Sequence, residues 1–166
     1  MRRREAYGTS GPRIVLRVFG GYGYDAGICD SSTLAEQGYA GGVPMGGVLA
    51  PSAGASPQFV VSALRDAGTA DLPGTPLQRV QIIKGSLEGG AAKFEVFDVA
   101  GGPNDATVDP QTCEQGGPGA DSLCAIWTDP SFDPGSPAFY YVRVLENPSC
   151  RWQAYLCNDA GVDCSD

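Results

Sequence analysis

The sequence predicts a mostly β fold: a β-sandwich of about seven strands with long Gly/Pro-rich loops and one or two short helices. Two observations carry this prediction. The 166 residues include 24 Gly and 13 Pro, which break helices. The apolar stretches between them are short and rich in Val, Ile, Phe and Tyr, which favour strands. Repeated short strands with turn signals between them are typical of a sandwich, with a barrel as the alternative. The chain is long enough for one domain with its own core.

The predicted strands follow from alternation and composition. In the first, Ile14, Leu16 and Val18 share one face. The third and fourth are joined by the segment LEGGA, whose glycines suit the positive φ angles of a hairpin. The sixth, AFYYVRVLE, is apolar on both faces and is therefore predicted to be a central strand. The seven predicted strands are residues 12–21, 58–66, 77–86, 92–100, 122–127, 138–146 and 151–157.

Two segments carry helix signals. Residues 30–42 contain a capping-box pattern of Thr33 with Glu36, followed by Gly38 as a stop, and predict one short helix. Residues 4–12, REAYGTSGP, resemble the last turn of a helix followed by a tight turn. A helix of so few residues is not stable alone. We therefore expect it to dock onto the rest of the chain or to belong to a longer element.

Charge excludes several classes of partner. The chain has 11 basic and 19 acidic residues and a net charge of −8, which argues against a nucleic-acid or anionic-membrane partner. No apolar run approaches the roughly 20 residues that span a bilayer. Arg2 to Arg4 are followed by polar residues where a signal peptide needs an apolar stretch, so no signal peptide is predicted in this chain.

The cysteines form an even set that predicts disulfides and an oxidising compartment. They are Cys29, Cys113, Cys124, Cys150, Cys157 and Cys164. If residues 151–156 are extended, Cys150 and Cys157 lie about 23 Å apart, too far to bond each other. Cys113 with Cys124 is the favoured pair, because it closes a Gly/Pro-rich loop. The pairing of the other four stays open.

The chain contains no histidine. This excludes a Ser-His-Asp triad, a Cys-His nucleophile and a histidine-based metal site formed by this sequence alone. The segment GTSGP around Ser10 lacks the spacing of a nucleophile elbow. Neither a phosphate-binding loop nor a dinucleotide fingerprint is present. We predict no cofactor and no metal site for this chain.

Carboxylates are the remaining candidates for catalysis. Asp129 and Asp133, with Glu114 and Asp121 nearby in sequence, could form a calcium site or an acid/base pair. The alternative is structural, because Asp-Pro is a turn-starting dipeptide that also occurs at residues 109–110. The turn interpretation is the better supported of the two.

Two further groups are weak candidates for binding or catalysis. Tyr7, Ser10 and Arg13 lie close together around the first turn, where hydroxyls bonded to local backbone are the structural alternative. Tyr22 and Tyr24, in the glycine-rich segment GGYGYDAG, are candidates for an exposed patch that stacks against a sugar.

Several long segments together resemble a known bacterial family. They are RRREAYGTSGPRIVLRVFGG, VSALRDAGTADLPGTPLQRVQIIKG and the stretch from DVAGGPNDATVDPQTC to AFYYVRVLENPSCRW. They are similar to the C-terminal third of domain-of-unknown-function family 3604, whose members are related to the PHP (polymerase and histidinol phosphatase) metallohydrolases. The similarity covers nearly the whole chain, and motifs such as PGTPLQR and GPGADSLC are specific.

The resemblance implies a domain division. Residues 1–12 correspond to a remnant of the last helix of the PHP barrel and its connecting turn, and residues 13–166 to a β-sandwich that lacks its last strand. The metal-binding residues of the barrel have no counterpart in this sequence. In the parent, the barrel would bind divalent metal, and the protein would be periplasmic or extracellular. A missing last strand would expose a sheet edge, which predicts a homodimer.

The favoured functional hypothesis is a non-catalytic fragment of a PHP-like metal-dependent phosphate or sulfate ester hydrolase, partnered by its upstream barrel. It would shape or cover the active site, with Thr9, Ser10 and Arg13 nearest the barrel. The alternatives are a small stand-alone glycoside or ester hydrolase that uses carboxylates, or a carbohydrate-binding module.

Overall fold

A computed structural model describes residues 2–52 and 54–162 and contains mostly β-structure. Two helices are described, α1 at Leu34–Gly41 and α2 at Trp152–Ala160, besides a single 3-10 turn at Ile28–Asp30. The described strands are β1 Val15–Gly21, β2 Gly42–Pro44, β3 Gln58–Leu64, β4 Leu77–Glu88, β5 Ala91–Gly101, β6 Thr107–Val108, β7 Gln115–Gly116, β8 Ser122–Thr128 and β9 Ala138–Glu146.

The strands form two main antiparallel sheets that pack face to face. Sheet A has the order β2-β1-β3-β8, and sheet B has the order β5-β4-β9. A separate ladder joins β6 to β7. The predicted mostly β fold with short helices is confirmed, and its two layers are arranged like a sandwich.

The core lies between the sheets. Sheet A contributes Leu16, Phe59 and Val61, and sheet B contributes Val80 and Ile82, all of them buried. The partly buried rings of Trp127 in β8 and Tyr140 in β9 complete this layer. Burial of each large apolar side chain stabilises the fold by about 1.5–3 kcal/mol, so this layer is the main source of stability.

Helix α1 covers the outer face of sheet A. Gly38 lies against the ring of Phe19, and a Cβ atom at position 38 would be 2.4 Å from that ring. The helix is found where the sequence predicts it, but Gly38 does not end it, because the close approach to Phe19 explains this glycine instead. Thr33 makes no side-chain capping bond. Its Oγ1 accepts a hydrogen bond from the Gln37 side chain at 3.0 Å.

The hairpin between β4 and β5 forms as predicted. Glu88 pairs with Ala91, and the two residues between them are Gly89 and Gly90, with φ angles of 59° and 84°. These are the positive values that a two-residue hairpin turn requires at both central positions. Substitution by any other residue would strain the turn.

Two strand predictions are wrong. Strand β9 lies at an edge of sheet B rather than in its centre, in the part of the chain that the structure describes. Its apolar residues on the second face, Phe139 and Tyr141, are 54% and 49% exposed. Of the predicted strand at residues 151–157, residues 152–157 belong to helix α2 and Arg151 is its N-cap. In the sequence, Trp152 alternates with two later apolar residues, but this stretch is too short to distinguish the two-residue period of a strand from the 3.6-residue period of a helix. Gly161, with a φ angle of 62°, follows the helix at its C-terminal end, where glycine is common.

The predicted helix turn at residues 4–12 is also absent. The described residues from 2 to 12 contain no helix, and Arg4 has a φ angle of 56°. Instead the Tyr7 hydroxyl donates to the Ile14 carbonyl at 2.9 Å and accepts from the Leu16 N–H at 3.2 Å. Tyr39 also donates to Glu5. The segment is therefore held along sheet A by side chains rather than by helical hydrogen bonds.

The disulfide framework differs from the favoured pairing. Cys29 bonds Cys124, with Cα atoms 5.7 Å apart, and Cys113 bonds Cys150, at 5.6 Å. Pairing of Cys113 with Cys124 is therefore wrong. The loop that carries Cys113 packs near α2, whereas Cys124 lies within β8 beside the 3-10 turn. Cys157 is buried and disulfide-bonded as well. The prediction for Cys164 falls outside the described residues.

Disulfides such as Cys29–Cys124 and Cys113–Cys150 are typical of a protein from an oxidising compartment. Neither of the helices described is long and apolar enough to cross a membrane.

Candidate functional site

A cleft of about 1060 Å³ opens along one side of the sandwich. One wall is the segment that follows β2, with Met45, Val48 and Leu49. The opposite wall is β9 and the loop before it, residues 132–142. Because β2 and β9 are the edge strands of sheets A and B, the cleft is the gap between two open sheet edges. A cleft of this size is where a ligand or partner is expected.

The lining of the cleft is mostly apolar. Among the described residues that line it, only Arg4 and Asp133 are charged. Arg4, Ala6, Tyr7 and Gly8 of the N-terminal segment also border the cleft. Such a lining suits an apolar group or a protein surface better than a highly charged ligand.

Behind the β9 wall lies a buried ion pair between Lys84 and Asp129. Lys84 Nζ is 2.7 Å from Asp129 Oδ2, and these side chains are 5% and 0% exposed. The ammonium also donates to the carbonyl and hydroxyl oxygens of Ser131, at 2.7 Å and 3.1 Å. Its three donors are thereby all used.

The second partner of Asp129 connects the ion pair to the cleft. The Tyr140 hydroxyl donates to Asp129 Oδ2 at 2.6 Å, while the Tyr140 ring forms part of the cleft wall. Ser131 donates its N–H and its hydroxyl to Oδ1, at 2.9 Å and 3.2 Å. Both carboxylate oxygens are therefore satisfied within the protein.

The protonation states follow from these contacts. Burial alone would raise the pKa of Asp129, but the hydrogen bonds from Lys84 and Tyr140 outweigh it and hold that pKa below its ordinary value. Burial, and then the adjacent Asp129, raise the pKa of Tyr140. The carboxylate is thus ionised and the phenol is neutral at physiological pH. The cluster of Lys84, Asp129, Ser131 and Tyr140 therefore attaches the loop after β8 to β4. Because its charges compensate each other, it offers no free acid or base.

Comparison with known proteins gives one match. The model of a family described as "Protein of unknown function (DUF3604)" matches residues 1–166. The chain belongs to the DUF3604 family. No curated protein matches this DUF3604 chain, and no solved structure matches it.

The aspartates of the DUF3604 chain serve as turn residues. Asp129, Asp133 and Asp109 each accept the N–H of the residue two positions ahead through Oδ1, at 2.9, 2.8 and 2.7 Å. This is the hydrogen bond of an Asp-initiated turn. Asp129 is buried and paired with Lys84, whereas Asp133 is exposed. The two carboxylates do not share a binding partner in the described contacts.

Tyr7, Ser10 and Arg13 are engaged separately. Tyr7 bonds the backbone of the segment leading into β1. Arg13 instead reaches Asp66, with its N–H at 2.7 Å and its guanidinium at 3.2 Å. Ser10 is exposed. The predicted cluster therefore divides into two structural contacts and one exposed hydroxyl.

Tyr22 and Tyr24, the candidates for stacking against a sugar, form hydrogen bonds to the backbone of neighbouring segments. The Tyr22 hydroxyl donates to the Ala50 carbonyl at 3.1 Å and accepts from the Ser52 N–H at 3.2 Å, which ties down the loop after β2. The Tyr24 hydroxyl donates to the Gly38 carbonyl at 3.2 Å, and burial raises its pKa. Of these two tyrosines, Tyr22 borders the cleft and Tyr24 does not.

No group of three or more Cys, Asp or Glu side chains in residues 2–52 and 54–162 is arranged to hold a metal ion. Glu114 and Asp121 are both exposed, and Asp121 pairs with Arg65 at 3.0 Å.

Lys84 is the residue of this site that the sequence analysis missed. It occupies the same face of β4 as Val80 and Ile82, which point into the core. A single lysine in register with buried aliphatic residues is a sequence signal, because a buried lysine needs an anionic partner. The identity of that partner, 45 positions further along the chain, carries no comparable signal.

The Arg13–Asp66 contact predicts an acid-dependent loss of stability. Backbone N–H groups of Arg13 and Gly68, then the guanidinium, lower the pKa of Asp66 from 3.8 to about 2. A lowered folded-state pKa means that the contact stabilises the fold above pH 4 and is lost as the pH falls toward 2.

We expect Asp66→Asn to lower the urea midpoint at pH 7 and to change it little, relative to the original chain, at pH 2. Urea titrations at both values measure this difference. Asp71→Asn, in the same loop, is the control, since the Asp71 side chain is exposed. An equal loss at both pH values would contradict the assignment to ionised Asp66.

Proposed function

We propose that this chain is a non-catalytic β-sandwich module of a PHP-like, metal-dependent phosphate or sulfate ester hydrolase. In that protein it would shape or cover the active site of a metal-binding barrel that precedes it. The sequence resemblance supplies the barrel and the reaction class. The position of the N-terminal segment supports the accessory role.

The observation that carries the proposal is that Arg4, Ala6, Tyr7 and Gly8 of the N-terminal segment border the large cleft. The similarity to the family implies that this segment connects the sandwich to the barrel. A domain joined there would meet the open side of the sandwich, where Met45, Val48 and Leu49 present apolar surface. Val48, which is 79% exposed, is accessible for such a contact.

The contacts of the acidic side chains support the proposal that this module is not itself catalytic. A catalytic carboxylate pair needs groups that converge on a substrate about 5–9.5 Å apart. Here the charge of the buried Asp129 carboxylate is compensated by Lys84, and the Asp133 carboxylate accepts a hydrogen bond within a surface turn. The disulfides agree with a periplasmic or extracellular protein.

The experiment has two arms. Alone, the chain should bind no catalytic metal and should not hydrolyse nitrophenyl phosphate, sulfate or ester substrates. Turnover that co-purifies with the chain and is lost in a point variant would overturn the proposal.

In the second arm, the chain is joined at its N-terminus to a barrel of a longer family member. Val48→Asp, in the cleft, should lower kcat/KM at least about tenfold, because it places a charge in an apolar contact. Leu72→Asp is the matched control, since Leu72 is 69% exposed and lies away from the cleft. Equal activity of both variants would show that the cleft does not face the barrel.

A further inference from the structure

The face of sheet B that points away from sheet A carries an exposed apolar patch. It comprises Phe94 and Val96 of β5, Leu87 of β4, and Phe139 and Tyr141 of β9; we call it the outer patch. In register, Gly85 lies between Phe94 and Phe139, and Ile83 lies between Val96 and Tyr141. Ile83 is only 2% exposed, so the surrounding side chains already bury it.

The outer patch is large for a domain of this size. Phe94 is 61% exposed, Phe139 54% and Tyr141 49%. With about 200 Å² for a whole aromatic side chain, the three rings expose about 330 Å². Leu87 and Val96, each more than half exposed, bring the apolar area to about 450 Å². Patches of this size on a monomer are often functional.

The ring geometry favours a protein partner over a sugar. Phe94 and Phe139 meet edge to face, with their planes at 72° and their centroids 6.1 Å apart. Phe139 and Tyr141 are nearly parallel, at 15° and 6.4 Å, but the edge-to-face Phe94 keeps the three rings from forming one flat platform for a sugar chain. An uneven surface of interlocking apolar side chains matches another protein surface.

The polar side chains at the border of the patch pair with one another, although Arg79 Nε has no hydrogen-bond partner. Arg143 Nε donates to Gln81 Oε1 at 2.8 Å, and Gln81 Nε2 donates to Asp98 Oδ1 at 2.7 Å. Arg79 approaches the same carboxylate at 3.5 Å. Because these groups already have partners, covering the adjacent patch leaves no new unpaired charge. They lie at one end of the outer patch and give it a polar border there, as at the rim of an interface.

We propose that the outer patch binds a second copy of this chain, in a symmetric homodimer with the two B sheets stacked face to face. A stable dimer buries about 800 Å² on each partner, of which about 65%, or roughly 500 Å², is apolar in homodimers. The outer patch supplies nearly this area. Sheets pack readily in this way, as sheets A and B do within the chain. The dimer proposal does not rest on the accessory role proposed above, although Phe139 and Tyr141 also line the cleft.

The oligomeric state in solution tests the dimer. By sedimentation velocity, the 166-residue chain should be dimeric at micromolar concentrations. Phe94→Lys and Tyr141→Lys should each raise the dissociation constant at least about tenfold, because each places a charge in the apolar centre. Leu64→Lys is the matched control, since Leu64 is 48% exposed but belongs to sheet A. This variant carries the same charge change and should remain dimeric.

Each result bears on the proposal. A chain that stays monomeric up to roughly 100 μM overturns it. Loss of the dimer in Tyr141→Lys but not in Phe94→Lys overturns it too, because that pattern assigns the contact to the free edge of β9. Both residues are exposed, so the variants should retain the circular dichroism spectrum and melting temperature of the original chain. A dimer in both variants would exclude the outer patch.

Discussion

Lys84→Ala is expected to be the most destabilising single substitution in this chain, lowering the free energy of unfolding by about 3–5 kcal/mol. The reason is not the loss of attraction in itself. Removal of the ammonium leaves the Asp129 carboxylate, whose side chain is 0% exposed, charged and uncompensated in the interior. Only Tyr140 and Ser131 would still donate to it. Urea unfolding monitored by circular dichroism measures the change.

The pH dependence of this variant distinguishes a buried charge from lost packing. Without Lys84, burial becomes the dominant influence and raises the pKa of Asp129 above its value in the unfolded chain. A carboxyl group with a raised folded-state pKa destabilises the fold increasingly as the pH rises above the unfolded value. We therefore expect the deficit of Lys84→Ala to be smaller at pH 5 than at pH 8.

Two variants serve as controls. Lys93→Ala removes the other lysine of the chain, whose exposed pair with Glu88 at 3.1 Å should contribute little. Addition of Asp129→Asn to Lys84→Ala should recover part of the lost stability, since no buried charge then remains. A deficit that is independent of pH and is not relieved by Asp129→Asn would refute the explanation.

Removal of the Cys29–Cys124 disulfide is expected to cost about 4.7 kcal/mol in the chain-entropy account. The two cysteines are 95 positions apart, and their bond restricts more than half of the unfolded chain. The bond also fastens the 3-10 turn before α1 to β8. The double variant Cys29→Ala/Cys124→Ala should therefore unfold at a much lower denaturant concentration, measured without reductant.

The second described disulfide provides the comparison. Cys113 and Cys150 are 37 positions apart, which corresponds to about 3.8 kcal/mol. Cys113→Ala/Cys150→Ala should thus be the more stable of the two double variants, by roughly 1 kcal/mol. The reverse order would mean that native contacts around the cysteines, rather than loop length, decide their contribution.

Much of the strand content was predictable, because alternation and turn residues are local properties. The hairpin at Gly89 and Gly90 is the clearest case, since its geometry demands the residues found there. The position of β9 was not predictable, because the exposure of Phe139 and Tyr141 depends on which strands flank it. Helix α2 was missed because a short alternation of apolar residues is compatible with both a strand and a helix.

The site was less predictable than the fold. Asp129 was recognised as a candidate, and its turn role was anticipated from the following proline. Its function as the counter-ion of Lys84 depends on contact between β4 and the loop after β8, which no local pattern encodes. The disulfide pairing failed for the same reason: Cys29 meets Cys124 only because β8 joins sheet A beside β3.

The order of the strands constrains how the chain can fold during synthesis. Strand β8 completes sheet A and β9 completes sheet B, although both come late in the chain. A nascent polypeptide that ends before residue 122 therefore lacks the last strand of each layer. Pairing across such long sequence separations is slow, in the range of milliseconds to seconds. Until those strands emerge, the partly made chain has two unfinished layers and must avoid aggregation.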